Sequence, residues 1–176
     1  MSRRQYRRNG TPIGEYRVYA LAMKGTTCTG EFEISPSGIE TYEDLESLVE
    51  MEAITGSFGY GYDRLVITRP GANLIGLKLL GAYIPKADLR GANLEGADLE
   101  GANLESVSLV GAILRGACLF EANLYGADLR ESNLSRADLR LADLREADLR
   151  SAILDVCKWD STTRWPRGFR PNKSGR

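Results

Sequence analysis

The residues whose type and spacing most suggest chemistry are Asp and Asn side chains that recur at five-residue intervals between positions 71 and 155. Regularly repeated oxygen ligands are typical of calcium-loaded β-rolls. The sequence lacks the glycine-rich nine-residue repeat of those proteins, and short polar side chains at chain corners commonly bind nearby backbone groups. We therefore interpret these residues as groups that stabilise turns, and we predict no metal site.

The composition excludes several kinds of catalytic site. The 176 residues include no histidine, which removes the commonest general base together with Ser-His-Asp and Cys-His arrangements. Cys28, Cys118 and Cys157 lie far apart and form no Cys-x-x-Cys pair, so neither a zinc site nor a disulfide framework is indicated. We predict that the protein is not an enzyme and binds no cofactor.

Two features of the N-terminal third could still suggest a site. The glycine-rich loop at 56–63 lacks the lysine and the strand-loop-helix order of a phosphate-binding loop, so its glycines are predicted to permit turns. Glu31, Glu33 and Asp63 are the candidate acid and base groups of an enzyme alternative. Carboxylates that alternate along a strand are better explained as its solvent-facing side.

The five-residue repeat determines the fold class. Residues 71–155 form 17 pentads, with Leu at the centre of 16, Ala two positions earlier in 14, and Asp or Asn between them in 11. On a helix such leucines would spiral around every side, and on a flat strand they would alternate between its two sides. Within one pentad, Ala and Leu share a side and the last two residues turn the chain. The pattern predicts an all-β solenoid with Leu and Ala inside.

The repeat resembles the A-(D/N)-L-x-x pattern of the pentapeptide-repeat family, as at 87–91 (ADLRG), 92–96 (ANLEG) and 127–130 (ADLR). The resemblance implies a right-handed quadrilateral β-helix with four pentads in each coil. The 17 pentads would then form a little over four coils.

Four segments are predicted along the chain: a basic N-terminus at 1–10, a small α+β unit at 11–70, the β-helix at 71–155, and a C-terminal cap with a basic tail at 156–176. The α+β unit should contain strands at 16–23, 30–34 and 65–68 and a helix at about 41–54. An open solenoid end exposes unpaired strand edges. Trp159, Trp165 and Phe169 are therefore expected to cover the C-terminal end.

Residues 20 positions apart should stack in columns on the outside of a four-pentad coil. Apolar residues occupy outward positions within about one coil, and arginines occupy such positions in the back half. Exposed apolar residues and arginine are typical of partner-binding surfaces. The candidate partner-binding surface comprises Val110, Ile113, Phe120, Tyr125, Arg130, Arg140, Arg145 and Arg150.

The formal net charge of −1 arises because acidic and basic segments of the chain nearly cancel each other. Residues 71–155 carry 9 basic and 13 acidic groups, whereas residues 156–176 carry 6 and 1. No stretch of sequence is long and apolar enough to span a membrane. We predict a non-enzymatic scaffold of the bacterial cytoplasm that binds a protein partner, and a second copy of the chain is one candidate for that partner.

The family resemblance implies one alternative function, a DNA-mimic inhibitor of DNA gyrase that confers drug or toxin resistance. Such mimics are strongly acidic and often have Phe at the pentad centre, whereas this chain has Leu centres and a basic back half. Direct nucleic-acid binding would rest only on the arginine-rich ends, and it is not predicted.

Overall fold

The computed structural model describes residues 18–24, 26–34 and 64–171, which form a small sheet followed by a solenoid. Several sequence predictions lie outside these residues, namely the basic segment at 1–10, the helix at 41–54 and the glycine-rich loop at 56–63.

The N-terminal sheet has three antiparallel strands in the order β2-β1-β3. They are β1 (Val18–Lys24), β2 (Thr27–Ile34) and β3 (Arg64–Ile67). β1 and β2 pair along their whole lengths, with a register shift between Ala22 and Met23. β1 is therefore the central strand.

Each pentad of the solenoid is a short extended segment closed by a tight turn. In one example, the amide of Ala112 donates to the carbonyl of Leu109 at 2.9 Å, and Gly111 between them has a φ of 66°. A positive φ at the third turn residue is the geometry of a type II turn. The turn resets the chain direction every five residues, so every Leu returns to the inside.

Four such turns complete one coil. Isolated parallel bridges join residues 20 positions apart, from Asn73 with Asn93 to Asp138 with Lys158, and a last bridge joins Asp143 with Arg164 across 21 positions. Each bridge consists of two backbone hydrogen bonds on either side of this register: the amide of Asn93 donates to the carbonyl of Ala72 at 2.9 Å, and the amide of Leu74 donates to the carbonyl of Asn93 at 2.7 Å. The ladder therefore continues beyond Asp155, where the sequence repeat ends, and absorbs one extra residue before Arg164.

The pentad Leu and Ala residues fill the inside of the coil. From Leu74 to Leu144, the leucines and the isoleucine at pentad centres are no more than 1% exposed. Full burial of such a side chain contributes about 1.5–3 kcal/mol to the free energy of folding. The predicted roles of Leu and Ala as core residues are confirmed.

The N-terminal sheet contacts the first coil directly. Tyr19 of β1 is 2% exposed, and its hydroxyl donates to the carbonyl of Pro85 at 2.9 Å. The amide of Lys78 donates to the carbonyl of Thr26 at 2.7 Å. Ile75 and Leu80, at corners of the first coil, are exposed.

At the C-terminal end, aromatic residues take over the inward positions. Trp159, Trp165 and Phe169 pack against the hydrophobic core. The rings of Trp159 and Trp165 meet edge to face with centroids 6.0 Å apart, and Trp165 stacks on Phe169 at 5.2 Å.

The turn position has a positive φ in every coil, and this makes it sensitive to residue type. Gly111 and Glu131 occupy the same corner in successive coils with φ values of 66° and 60°. A non-glycine residue in this region carries about 1–2 kcal/mol of strain, part of which is offset because glycine has more freedom in the unfolded chain. No atom lies within 4 Å of a Cβ built at Gly111. Backbone strain alone should therefore determine how a substitution at this corner changes the free energy of unfolding.

We expect Glu131→Gly to raise the free energy of unfolding by roughly 1 kcal/mol and Gly111→Glu to lower it by a similar amount. Urea denaturation of both variants provides the measurement. A shift in the same direction for both would contradict the assignment of strain to this corner.

Candidate functional site

The solenoid presents four faces, which we number one to four by their central leucines in the second coil, namely Leu94, Leu99, Leu104 and Leu109. The residue before each centre points outward from the face, and the residue after it lies at the corner that leads to the next face. Outward residues therefore form columns with a spacing of 20 positions.

The four apolar residues of the predicted partner surface lie on different sides of the solenoid. Ile113 is on the first face, and Phe120 is at the corner between the second and third faces. Tyr125 follows at the corner between the third and fourth faces, and half-buried Val110 is at the corner between the fourth and first. They form no single patch, because five positions move a residue to the next face of a four-pentad coil.

The predicted basic surface is neutralised by its own aspartates. Arg140 donates from Nε and Nη2 to the two carboxylate oxygens of Asp138 at 2.9 and 2.6 Å, and Arg145 binds Asp143 in the same way. Further pairs with this geometry are Asp88 with Arg90, Asp128 with Arg130, and Asp148 with Arg150. The arginine-rich half of the repeat is therefore not an open cationic surface.

The reason for this pairing lies in the extended geometry of the pentad. Asp and Arg flank an inward Leu, so their side chains both point outward and meet. The tripeptide Asp-Leu-Arg occurs five times in the repeat. This signal was available from the sequence, and it would have predicted the pairs.

Asp and Asn also stabilise the corners, as the sequence predicted. Oδ1 of Asn123 accepts the backbone amide of Tyr125 at 3.1 Å, and Oδ1 of Asp138 accepts that of Arg140 at 3.3 Å. The side-chain hydrogen bonds from Arg140 and Arg145 hold the pKa of Asp138 and of Asp143 below the ordinary value of 3.8. The aspartates are thus held in the charged form.

The third face is bordered by two aromatic side chains, each covered by an arginine from the next coil. Cζ of Arg140 lies 5.6 Å from the centroid of the Phe120 ring. Cζ of Arg145 lies 5.8 Å from that of Tyr125. Both distances fit cation–π contacts. Because aspartates hold the guanidinium groups, each ring and its arginine form a fixed surface layer.

A shallow hollow of about 280 Å³ crosses the third face between these borders. Its lining residues are Glu105, Glu121, Ala122, Asn123, Tyr125, Asp143 and Arg145. Within the described part of the chain, Glu105 and Glu121 make no ion pair. We call Phe120, Tyr125, Arg140, Arg145 and this hollow the third-face site.

One cluster on the second face has the composition of a metal site. Ligand atoms of Asp98, Glu100 and Cys118 lie within 4.8 Å of one another. Burial raises the pKa of the Cys118 thiol, which favours the protonated form over the thiolate that binds metals. Oδ1 of Asp98 also accepts the amide of Glu100 at 3.3 Å. We assign no metal site to this cluster.

The described residues contain no helix of the length and apolar character needed to cross a bilayer.

Comparison with known proteins identifies relatives of the repeat. A sequence profile described as pentapeptide repeats matches in eight copies over residues 71–104, 87–124 and 122–155. A solved structure of a pentapeptide repeat protein from Nostoc PCC 7120 is 31% identical and covers 70% of this chain and 86% of its own, with a TM-score of 0.36. No curated protein matches the sequence.

Two other solved pentapeptide repeat proteins match a smaller part of the chain. The protein from the cyanobacterium Cyanothece 51142 is 36% identical and covers 51% of this chain, with a TM-score of 0.43. The protein from the thylakoid lumen of Arabidopsis thaliana is 26% identical and covers 52%, with a TM-score of 0.49. The matches span 64% and 65% of these two relatives.

The lowered pKa values of Asp138 and Asp143 predict a pH-dependent stability. Because their folded-state pKa lies below the unfolded-state value, they stabilise the fold above the unfolded-state pKa, and this contribution is lost as the pH falls through the folded-state pKa. Below about pH 4, we expect the Tm of the wild type to fall more steeply than that of Asp138→Asn/Asp143→Asn, whose side chains can still accept the corner amides.

Thermal unfolding followed by circular dichroism across this pH range provides the measurement. Asp155→Asn is the control, since it removes an aspartate that has no arginine two positions later, and its profile should match the wild type. Equal slopes for the wild type and the double variant would contradict the role given to the two Asp–Arg pairs.

Proposed function

The chain belongs to the pentapeptide-repeat family, and on that premise we propose that it is a non-enzymatic interaction module that binds a protein partner through the third-face site. Membership of the family implies a right-handed quadrilateral β-helix, which is a rigid body with wide side faces. Repeat solenoids commonly use such extended surfaces for binding.

The observation that carries the proposal is the pairing of an aromatic and an arginine side chain along both borders of one face, where Tyr125 and Arg145 also line the hollow. Tyr and Arg are among the residues that contribute most to binding energy in protein interfaces. Tyr125 is 41% exposed, and the side chains of Arg140 and Arg145 are 46% and 53% exposed. A partner can therefore reach these groups without any rearrangement of the coil.

The rigidity of the third-face site also supports its assignment as the binding surface. The backbone at Phe120 is fixed by the bond from the amide of Gly101 to its carbonyl at 2.9 Å, and the backbone at Tyr125 by the bond from the amide of Ser106 at 2.8 Å. Arg140 and Arg145 are held by their aspartates. Because these side chains are already ordered, binding loses less conformational entropy than it would on a mobile surface.

The proposal uses only part of the surface suggested by the sequence. Phe120, Tyr125, Arg140 and Arg145 border the third face, whereas Ile113 lies on the first. Val110, Arg130 and Arg150 form one column at the corner between the fourth and first faces. This separation provides matched controls on the same body.

An affinity capture from lysate of the native host tests the proposed site. We expect Phe120→Ala/Tyr125→Ala to reduce the captured partner at least tenfold, because truncation of two interface anchors removes about 2 kcal/mol or more. The control Ile113→Ala/Ile153→Ala removes apolar side chains that are 39% and 45% exposed on the first face, and it should leave capture unchanged.

Equal capture by the two double variants would contradict the assignment to the third face. Recovery of DNA gyrase together with inhibition of its supercoiling activity would instead support the DNA-mimic alternative.

A further inference from the structure

The two columns that border the third face have the same chemical order. From the second to the fourth coil each column contains an acid, an aromatic residue and a base: Glu100, Phe120 and Arg140 in one, and Glu105, Tyr125 and Arg145 in the other. A column with this order is complementary to its own copy after a half-turn about the aromatic residue. We propose that the third face docks antiparallel on the third face of a second copy of the chain.

This inference rests on the proposed function, because it names the partner of the third-face site. The half-turn makes an isologous interface, in which each contact occurs twice and the assembly closes as a dimer.

Groups that would meet across the interface are left free within one chain. Glu100 and Glu105 make no ion pair among the residues that the structure describes. Arg140 and Arg145 bind their aspartates through Nε and Nη2, which leaves Nη1 of each guanidinium available. The free groups are thus two carboxylates at one end of the site and two guanidinium edges at the other.

These acids and bases cannot pair with each other in the same chain. They lie two coils apart, roughly 10 Å at the usual spacing of about 4.8 Å between adjacent strands, and an aromatic side chain separates them. In the antiparallel dimer, Glu100 faces Arg140 of the other copy and Glu105 faces its Arg145. The four aromatic rings then lie between the two sets of ion pairs.

Other arrangements lack this complementarity. A parallel pairing of third faces would place acid against acid and base against base, which is unfavourable. On the first face the exposed residues include Ile113 and Ile153, and the charged pair at its border with the second face, Arg115 with Glu95 at 3.3 Å, is already satisfied within the chain. Of these arrangements, the antiparallel pairing of third faces is the one that brings free acids and free bases together.

Cysteine cross-linking can test both the face and the orientation. In a background with Cys28→Ser, Cys118→Ser and Cys157→Ala, Asn123→Cys places a thiol beside the two-fold axis, and Asn133→Cys places one on the opposite first face. Both asparagines accept the amide two positions later, so the two substitutions remove equivalent bonds. Mild oxidation should produce at least tenfold more covalent dimer from Asn123→Cys than from Asn133→Cys.

Charge reversal provides the second arm, measured on the otherwise unmodified protein by sedimentation velocity across a range of concentrations. Glu100→Lys/Glu105→Lys should weaken dimerisation at least tenfold. Glu95→Lys/Glu131→Lys makes the same charge change beside the first face and should leave dimerisation unchanged.

A monomer at every concentration, or equal cross-linking of the two cysteine variants, would overturn the second-copy proposal. If capture from host lysate still depended on Phe120 and Tyr125 in that case, the proposed function would stand and the partner would be a different protein. Loss of both the dimer and the dependence of capture on Phe120 and Tyr125 would overturn the two proposals together.

Discussion

The parallel backbone ladder between residues 20 positions apart is the constraint on which the rest of the solenoid depends. It requires four equal corners in each coil, so every fifth residue returns to an equivalent position. This requirement explains the inward Leu and Ala, the positive φ at each turn, and the columns outside. Where the sequence repeat ends, the ladder continues to Lys158 and Arg164, and partly buried aromatic residues pack against the core. Backbone pairing therefore extends further than the pentad pattern.

The same constraint determines the surface. An extended pentad points the residues on both sides of its Leu outward, and an Asp there meets the following Arg within hydrogen-bonding distance. The ladder then places each such pair above the residue 20 positions earlier. Where that residue is aromatic, as at Phe120 and Tyr125, the arginine covers the ring. Charged and apolar side chains are thus combined in one rigid layer on the surface of the solenoid.

The sequence predicted the solenoid, its core and the role of Asp and Asn at corners, because these features depend on spacing within one pentad. It did not predict that Val110, Ile113, Phe120 and Tyr125 would lie on four sides, although four pentads in each coil already required it. The neutralisation of Arg130, Arg140, Arg145 and Arg150 was also missed, since segment charges hide pairing between residues two positions apart. The contact of Tyr19 with Pro85 joins residues 66 positions apart, and no local pattern carries such a contact.

The proposed function depends on the third face being the partner-binding surface of this solenoid. Hydroxyl-radical footprinting of the tagged protein, alone at low concentration and in host lysate, tests it residue by residue. We expect protection in lysate to be concentrated at Phe120 and Tyr125, while Ile113 and Ile153 on the first face react equally in both samples. Protection of Ile113 and Ile153 with unchanged reactivity at Phe120 and Tyr125 would contradict the assignment of partner binding to the third face.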